Sequence, residues 1–286
     1  MKYELDRNQM ERDWNARAQE NAFHYVASGR ADWSEEDFYR SGRTSVEDLI
    51  LNDRDYLLRG RAPGSLRILE IGCGVGRMTE AMAEEFAEVH AVDVSEEMIR
   101  RAATRLGSRS NVFLYHGDGQ GLGALDSVEV DLAFSFIVFQ HIPHRSAIEG
   151  YMRDVAGCLR VGGIFKVQTQ GDPLAVLGRG DTWEGCFVPA SLWLLWSRLY
   201  GYRLIKFEGV GTQYLWLWWE RIGDAEYGLA DLEFALLSGE TRAYDASLRE
   251  LREKHSKLCQ HLDTIYRSFL YRVGRRLHLV AKPPSS

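Results

Sequence analysis

The amino-acid sequence predicts an α/β protein with a mostly parallel β-sheet and helices on both of its faces. Between residues 66 and 170, short apolar segments alternate with helical ones, and a glycine-rich loop at residues 72–76 follows the first apolar segment. Strands that alternate with helices at this spacing form βαβ units and therefore a parallel sheet. Right-handed crossovers between parallel strands then place helices on both faces.

Seven strands are predicted in all. Five of them occupy residues 67–71, 89–93, 112–116, 130–136 and 164–169, the last one after a turn at Gly162 and Gly163. Helices are predicted at residues 77–87 and 147–158, and a third begins after Ser95, whose hydroxyl can cap the free amides of a helix N-terminus. A helix at residues 189–200 and a hairpin at 202–210 and 213–222 complete the sheet with an antiparallel last strand.

Helical segments are predicted on either side of this sheet domain, which we bound at residues 63 and 222. Residues 1–62 are polar and contain a helix start at Ser34, which is followed by three acids, so we expect them to form an N-terminal helical lid. A turn-rich stretch at residues 59–65 separates them from the first strand. Residues 223–286 are expected to form a C-terminal helical extension.

This extension carries apolar residues at alternating intervals of three and four. The series is Leu248, Leu251, His255, Leu258, Leu262, Ile265 and Phe269. Such a heptad pattern indicates a helix that either pairs with a second copy, giving a homodimer, or packs on its own chain, and the histidine weakens a long coiled coil. Basic residues between 267 and 282 are expected to allow peripheral contact with an anionic membrane surface.

The composition excludes several kinds of partner and site. The net charge of −6 and the pI of about 5.8 argue against a broad nucleic-acid surface, which needs clustered lysine and arginine, so no DNA partner is expected. The four cysteines lack the paired spacing of a zinc site, and no metal is expected. Without an apolar leader or a run of about 20 apolar residues, the chain is expected in the cytoplasm.

The chemistry is predicted at the carboxyl ends of the first three strands. Gly72 and Gly74 follow the first strand and precede a helix, where glycine lets a ligand approach the backbone closely. Asp93 ends the second strand, where a carboxylate can accept both hydroxyl groups of a ribose. Asp118 and Gly119 follow the third strand, where a carboxylate can accept from an adenine amino group and a backbone amide can donate to the ring.

A dinucleotide-binding enzyme is the alternative for this layout. Its fingerprint places a small residue where this sequence has Arg77, whereas the third glycine here, Gly76, comes one position earlier. An acid, Glu70, also stands two residues before Gly72. These departures favour a cofactor without a pyrophosphate.

Four segments resemble those of class I S-adenosylmethionine-dependent methyltransferases of the type 11 and 12 kind. Residues 69–77 resemble motif I of that family, 91–98 its second strand and following helix, 117–119 its adenine-contacting element, and 131–143 the segment after its fourth strand. The resemblance covers residues 66–170 in order and implies a Rossmann-like domain. It implies S-adenosylmethionine as the cofactor, S-adenosylhomocysteine as the product, and no metal.

The resemblance also implies a role for each residue of the predicted cofactor site. Gly72 and Gly74 lie along the methionine part, Glu70 near its amino group, Asp93 at the ribose, Val94 and Met98 beside the adenine, Asp118 and Gly119 at the adenine edge, and Phe136 and Ile137 beside the sulfur. Arg77 and Arg43 are predicted partners of the cofactor carboxylate, with a structural ion pair as the alternative for both.

His141 is the predicted catalytic base, because it follows the fourth strand on the cofactor side and a hydroxyl acceptor must lose a proton to a positioned base. The alternative is a structural histidine in the loop before Pro143. Further candidates for the acceptor side are His24, Tyr25, His144, Asp181 and Glu184. Five tryptophans between residues 193 and 219 are expected to form either a platform for a flat acceptor or part of the core.

The predicted function is methyl transfer to a small-molecule or glycan acceptor, with O-methylation favoured. Residues 266–272 resemble the C-terminal tails of bacterial glycan-assembly methyltransferases and glycosyltransferases, which favours a glycan. The alternatives are an RNA or protein methyltransferase and a non-catalytic, cofactor-binding assembly protein.

Overall fold

A computed structural model describes residues 8–123, 125, 128–172, 181–223 and 231–276, with only the backbone given for residue 263 and residues 265–276. Its strands are β1 (Arg67–Ile71), β2 (Glu88–Asp93), β3 (Val112–His116), β4 (Val130–Ser135), β5 (Leu159–Thr169), β6 (Tyr202–Glu208) and β7 (Leu215–Arg221). They form one sheet in the order β3-β2-β1-β4-β5-β7-β6. Strands β1 to β5 run parallel, and β7 is antiparallel to both of its neighbours. The predicted Rossmann-like sheet with a reversed last strand is confirmed.

Helices cover both faces of this sheet, as predicted. They are α1 (Gln9–Val26), α2 (Glu35–Val46), α3 (Thr79–Glu85), α4 (Glu96–Leu106), α5 (Arg145–Cys158), α6 (Ala190–Leu199) and α7 (Asp231–Arg276). One buried cluster joins α5 and α6 to the sheet, and another joins α3 and the segment 46–58 to the opposite face. Because both faces are buried, the central strands are mainly apolar, with a few buried polar residues such as Glu70, Lys166 and Gln168.

Two serines begin helices where the sequence predicts it. Ser95 Oγ accepts a hydrogen bond from Met98 N, and Ser34 Oγ accepts one from Asp37 N.

The predicted turn before β5 is wrong, because the strand already begins at Leu159. Gly162, with a φ of +80°, lies inside it where the register with β4 shifts, and glycine accommodates that irregularity without a steric penalty.

The tryptophans of the second half of the chain belong mainly to the core. Trp193, Trp218 and Trp219 are almost fully buried, and the rings of Trp193 and Trp219 stack with their centroids 6.5 Å apart. Trp216 stacks on Phe136 at 5.4 Å. These rings therefore pack against the sheet. Of the two predicted alternatives for the tryptophan segment, the structure supports the core.

The N-terminal segment is fastened to the sheet by a buried ion pair. Residues 47–51 and 54–58 form two π-helical turns, and Asp53 lies between them. Its Oδ2 accepts from Lys166 Nζ at 2.8 Å and from Trp218 Nε1 at 2.6 Å, and burial lowers the pKa of Lys166. The predicted boundary at residue 62 thus falls inside one compact unit, which extends to Glu240.

A second compact unit begins at Thr241, and it is described up to Arg276 as part of α7. Its heptad positions Leu251, Leu258 and Leu262 are about half exposed. The side chains of Ile265 and Phe269, and the basic residues from 267 to 282, lie outside the described side chains. Among the described helices, none is both long and apolar enough to cross a membrane.

Candidate active site

The loop after β1 requires glycine at its first position. Gly72 N and Cys73 N donate to Val92 O at 2.7 and 3.1 Å, which fastens the loop to the end of β2. The φ of Gly72 is +80°, and a Cβ at this position would lie 2.2 Å from Val138 Cγ2. Both the backbone conformation and the close approach therefore exclude a side chain.

We expect Gly72→Ala to lower the free energy of unfolding by more than about 2 kcal/mol, since a left-handed residue with a Cβ costs about 1–2 kcal/mol before the clash with Val138 is counted. Gly64→Ala is the matched control, because no atom other than Glu85 O, at 3.8 Å, lies near its Cβ position. Denaturant unfolding measures both. Equal effects of the two substitutions would contradict this account of the loop.

A cavity, here called the glycine-loop cavity, opens at the carboxyl ends of β1, β2 and β4. It encloses about 860 Å³ of space, part of it open to solvent. The sequence-predicted residues that line it are Glu70, Gly72, Gly74, Arg77, Asp93, Val94, Met98, Phe136, Ile137 and His141. Helix α1 contributes Met10, Trp14, Tyr25 and Val26, which the cofactor prediction did not include.

Asp93 holds the loop and α4 together and keeps capacity for a ligand. Its Oδ2 accepts from Gly74 N and its Oδ1 from Ser95 N, both at 2.8 Å. Burial raises the pKa of Asp93, and these backbone donors oppose that rise. Because a carboxylate oxygen can accept more than one hydrogen bond, each oxygen can also accept from a hydroxyl group. The carboxylate therefore fits a ligand with two neighbouring hydroxyls.

A buried acid and a buried cation line the same cavity. Glu70 accepts from Thr79 Oγ1 at 2.6 Å, and burial raises its pKa to about 7. Arg77 Nη1 donates to Ser41 Oγ and Ser45 Oγ, and burial lowers its pKa. Arg77 Nε has no partner among the described residues. This pair of opposite charges fits a ligand that carries an amino group and a carboxylate.

Arg43 does not line the cavity. Its Nη2 donates to Glu84 Oε1 at 2.7 Å, and this bond, which joins α2 to α3, raises the pKa of Arg43. The predicted contact of Arg43 with a cofactor carboxylate is therefore corrected to the structural ion pair. A long basic side chain on a helix surface pairs with the acid that is nearest in space, and the sequence alone does not show which acid that is.

Asp118 and Gly119 also lie outside the cavity lining. The exposed Asp118 accepts from Gln120 N at 2.8 Å through Oδ1. A Cβ on Gly119 would lie 3.0 Å from Val94 Cγ2 and 3.8 Å from Met10, two residues that line the cavity. Their contact with an adenine edge stays a prediction.

A kink in α1 brings the end of this helix over the glycine loop. Asn21 leaves helical geometry (φ −162°, ψ 84°), and its Oδ1 accepts from His24 N at 3.1 Å, which restarts the helix. The restarted turn carries Tyr25 and Val26. A Cβ on Gly74 would lie 2.7 Å from Val26 Cγ2, so this turn packs directly on the loop.

Hydrogen bonds hold α1 at two sides of the cavity. Asn15 Oδ1 accepts from Ser95 Oγ at 2.7 Å and from Glu97 N at 3.1 Å, at the N-terminus of α4. Asp13 Oδ2 accepts from Thr182 Oγ1 at 2.7 Å, in the loop before α6. The helix therefore covers the cavity between these two points, which supports the predicted lid.

A second cavity, here called the polar cavity, adjoins the first. Its described lining is Tyr25, Val26, Ser28, Ile137, Gln140, His141, Gln170, Asp172, Trp183, Glu184, Gln213 and Tyr214. Tyr25, Val26, Ile137 and His141 line both cavities. Of the predicted acceptor-side residues, Tyr25, His141 and Glu184 meet here, whereas His24, His144 and Asp181 are absent from the described lining of both cavities.

A chain of hydrogen bonds ends at His141. Ile137 N donates to Gln168 Oε1 at 2.9 Å, Gln168 Nε2 to Gln140 Oε1 at 2.8 Å, and Gln140 Nε2 to His141 Nε2 at 3.1 Å. At the other side of the ring, Nδ1 faces the carbonyl oxygen of Trp183. A carbonyl only accepts, so Nδ1 carries the proton and Nε2 is an acceptor. Burial lowers the pKa of His141, which favours this neutral form.

Comparison with known proteins agrees with this geometry. A family model described as a methyltransferase domain matches residues 68–163. The chain is 29% identical over 140 residues to trans-aconitate 2-methyltransferase of Rhodopseudomonas palustris, covering 48% of this chain and 50% of that protein. It is 32% identical over 126 residues to ubiquinone biosynthesis O-methyltransferase of Caulobacter vibrioides, covering 44% and 48%. The chain thus spans about half the length of these curated relatives.

Solved structures share the fold. Magnesium protoporphyrin IX methyltransferase from Synechocystis, with bound S-adenosylhomocysteine, aligns with a TM-score of 0.56 at 18% identity, covering 76% of this chain and all of that one. Phosphoethanolamine N-methyltransferase 1 of Haemonchus contortus aligns with a TM-score of 0.53 at 17% identity, covering 89% and 57%. At such identities the likeness concerns the fold.

The sheet order, the glycine loop and the acid at the end of β2 define an α/β domain of the nucleoside-binding type. Residues 68–163, which match the model of a methyltransferase domain, span β1 to β4, the glycine loop and the start of β5.

Proposed function

We propose that this protein binds S-adenosylmethionine in the glycine-loop cavity and methylates a small polar acceptor held in the polar cavity. The observation that carries the proposal is that the two cavities adjoin and share Tyr25, Val26, Ile137 and His141. When bound, S-adenosylmethionine supplies a methyl group on a sulfonium centre, which an acceptor removes by in-line displacement. A shared wall between two cavities is suited to align a donor and an acceptor.

The polar groups of the first cavity match the polar groups of this cofactor. Glu70 pairs with the amino group and Arg77 with the carboxylate, since both charged side chains line this cavity. Asp93 accepts from the two ribose hydroxyls while it holds the loop. Val94 and Met98 pack against the adenine, with Asp118 and Gly119 nearby.

The polar cavity favours a neutral or cationic acceptor that carries hydroxyl or amino groups. Its described lining contains the acids Asp172 and Glu184 and includes neither arginine nor lysine. Burying a carboxylate without a cation is costly, so an anionic acceptor fits poorly. Trp183 and Tyr214 offer apolar ring surface beside these polar groups. A sugar or another polyol combines the two features, and the O-methyltransferase names of two relatives agree with transfer to an oxygen atom.

His141 is the group that we propose as general base. Its Nε2 already accepts from Gln140, so an acceptor hydroxyl would enter between these two side chains. The hydroxyl would then donate to His141 Nε2 while its oxygen accepts from Gln140 Nε2. On methyl transfer the proton moves to the imidazole, whose second nitrogen is held by the carbonyl of Trp183.

Calorimetry with S-adenosylhomocysteine tests the cofactor site, and binding is expected. Transfer of a labelled methyl group to a panel of neutral sugars, amines, carboxylic acids, RNA and protein then tests the acceptor class. Product from the sugars or amines is expected. Failure to bind the cofactor product contradicts the first claim, and transfer confined to carboxylic acids or to macromolecules contradicts the second.

We further propose that the heptad helix pairs two copies of the chain in the cytoplasm, since Leu251, Leu258 and Leu262 leave an apolar stripe half exposed. Light scattering should find a dimer for the full chain and a monomer for a chain ending at residue 240, because the seam is removed. Liposome sedimentation of the same two proteins tests the proposed membrane contact of the basic end. The same oligomeric state in both proteins, or equal sedimentation, would count against the respective claim.

A further inference from the structure

Gln168 is a polar side chain in the middle of the sheet. It lies on β5 and is fully buried. It occupies the same face of the sheet as Lys166, two residues earlier in the strand. Its Oε1 accepts from Ile137 N at 2.9 Å, and its Nε2 donates to Gln140 Oε1, Thr169 O and Gln213 O. A buried amide whose oxygen and nitrogen both have partners holds those partners in place.

One of these partners has an unusual backbone conformation. Ile137 has a φ of +55°, which is rare for any residue other than glycine and rarer still for a β-branched one. The same residue lines both the glycine-loop cavity and the polar cavity. Its amide is held by Gln168, so the buried glutamine helps to keep a strained residue at the wall that the two cavities share.

The hydrogen-bond chain allows only one arrangement of protons. Ile137 N–H can only donate, which fixes the Gln168 oxygen on its side and turns the Gln168 nitrogen towards Gln140. The Gln140 oxygen must accept that bond, so its nitrogen faces His141 Nε2. Two backbone groups, the amide of Ile137 and the carbonyl of Trp183, therefore determine both amide orientations and the histidine tautomer.

We propose that Gln168 is a positioning residue which, through Gln140, holds His141 in its neutral Nδ1–H form with Nε2 as the acceptor at the shared wall. This inference rests on the proposed function for its catalytic consequence, but the tautomer itself is a property of the protein without cofactor or acceptor. Other charged groups near the ring are Arg17 on α1, which lowers the pKa of His141, and Asp181 in the loop before α6, which raises it.

Nitrogen NMR of protein labelled at histidine tests the proposal directly. In the unmodified chain, we expect the His141 Nε2 resonance at the position of an unprotonated ring nitrogen and Nδ1 at that of a protonated one. Gln140→Glu places a carboxylate opposite Nε2, so the ring is expected to be protonated on both nitrogens at a pH where the unmodified ring is neutral. Gln19→Glu, the same change on an exposed part of α1, is expected to leave the resonances unchanged.

Gln168→Met tests the positioning role. We expect the His141 Nε2 resonance to shift in this variant, because Gln140 loses the partner that orients its amide, while the carbonyl of Trp183 keeps the proton on Nδ1. The amide of Ile137 should exchange with deuterium at least about tenfold faster. An Nε2–H tautomer in the unmodified protein, or an unchanged His141 in both Gln140→Glu and Gln168→Met, would overturn the proposal. Neither measurement needs turnover, so failure of this proposal can be distinguished from failure of the proposed methyl transfer. Once an acceptor is known, Gln168→Met should lower kcat more than it changes the KM for S-adenosylmethionine.

Discussion

Glu70→Gln is expected to stabilise the protein without ligand above pH 7 and to weaken cofactor binding at the same pH. Burial raises the pKa of Glu70 from its ordinary value of about 4.5 to about 7. The folded state therefore binds more protons than the unfolded state between these pH values, and stability falls as the pH rises through that window. A shift of this size corresponds to about 3 kcal/mol above pH 7. Glutamine has no charge to bury, so the variant escapes this loss.

The same substitution removes a charge that the cofactor needs. A hydrogen bond between charged groups contributes about 1.5–3 kcal/mol, so the affinity for S-adenosylhomocysteine should fall by about 10- to 100-fold at pH 8. In the unmodified protein the affinity should rise between pH 6 and pH 8, because binding the amino group requires ionised Glu70. Below pH 7, binding should release a proton, which calorimetry in buffers of different ionisation enthalpy measures.

Glu47→Gln is the matched control for this experiment, since Glu47 is exposed and lies outside both cavities. Denaturant unfolding at pH 5 and pH 8 should separate Glu70→Gln from the unmodified protein only at the higher pH. A variant that is less stable at pH 8, or that binds the cofactor product as tightly as the unmodified chain, would show that Glu70 has a structural role instead.

The second large effect is expected at Asp93. Asp93→Ala removes the acceptor for two ribose hydroxyls and should lower the affinity for S-adenosylhomocysteine by at least about 100-fold. It also leaves the amides of Gly74 and Ser95 without their acceptor, which should cost about 2 kcal/mol or more of stability. Asp93→Asn, which keeps one oxygen, should lie between the two proteins in both measurements.

Asp118→Ala provides the comparison, because Asp118 is an exposed acid of the same predicted cofactor site. Its bond to Gln120 N lies within one turn, so little stability should be lost. Calorimetry and denaturant unfolding of the three variants test the different roles of the two acids. Similar losses of affinity at Asp93 and Asp118 would show that the adenine edge contributes as much as the ribose, contrary to this ranking.

Local patterns predicted the elements of the sheet well, and the reasons are physical. Strand β3 has the predicted bounds, and the hydroxyls of Ser34 and Ser95 accept the capping bonds as expected, because a capping bond joins residues only three apart. The positions of the loop glycines and of the acid at the end of β2 could also be predicted, since each directly follows or ends a strand. The irregular start of β5 was missed because its bulge depends on the register with β4.

The sequence by itself determined the fold class and ten of the residues that line the glycine-loop cavity, because each depends on contacts within a few residues. Only the tertiary structure decided how distant side chains pair. Arg43 meets Glu84 across 41 positions, and Gln168 reaches Ile137 across 31. A glutamine in an apolar strand was the available signal for the second, yet its partners lie on other strands and loops. Pairings of this kind exist only after the chain has folded, since burial makes an unpaired polar group costly.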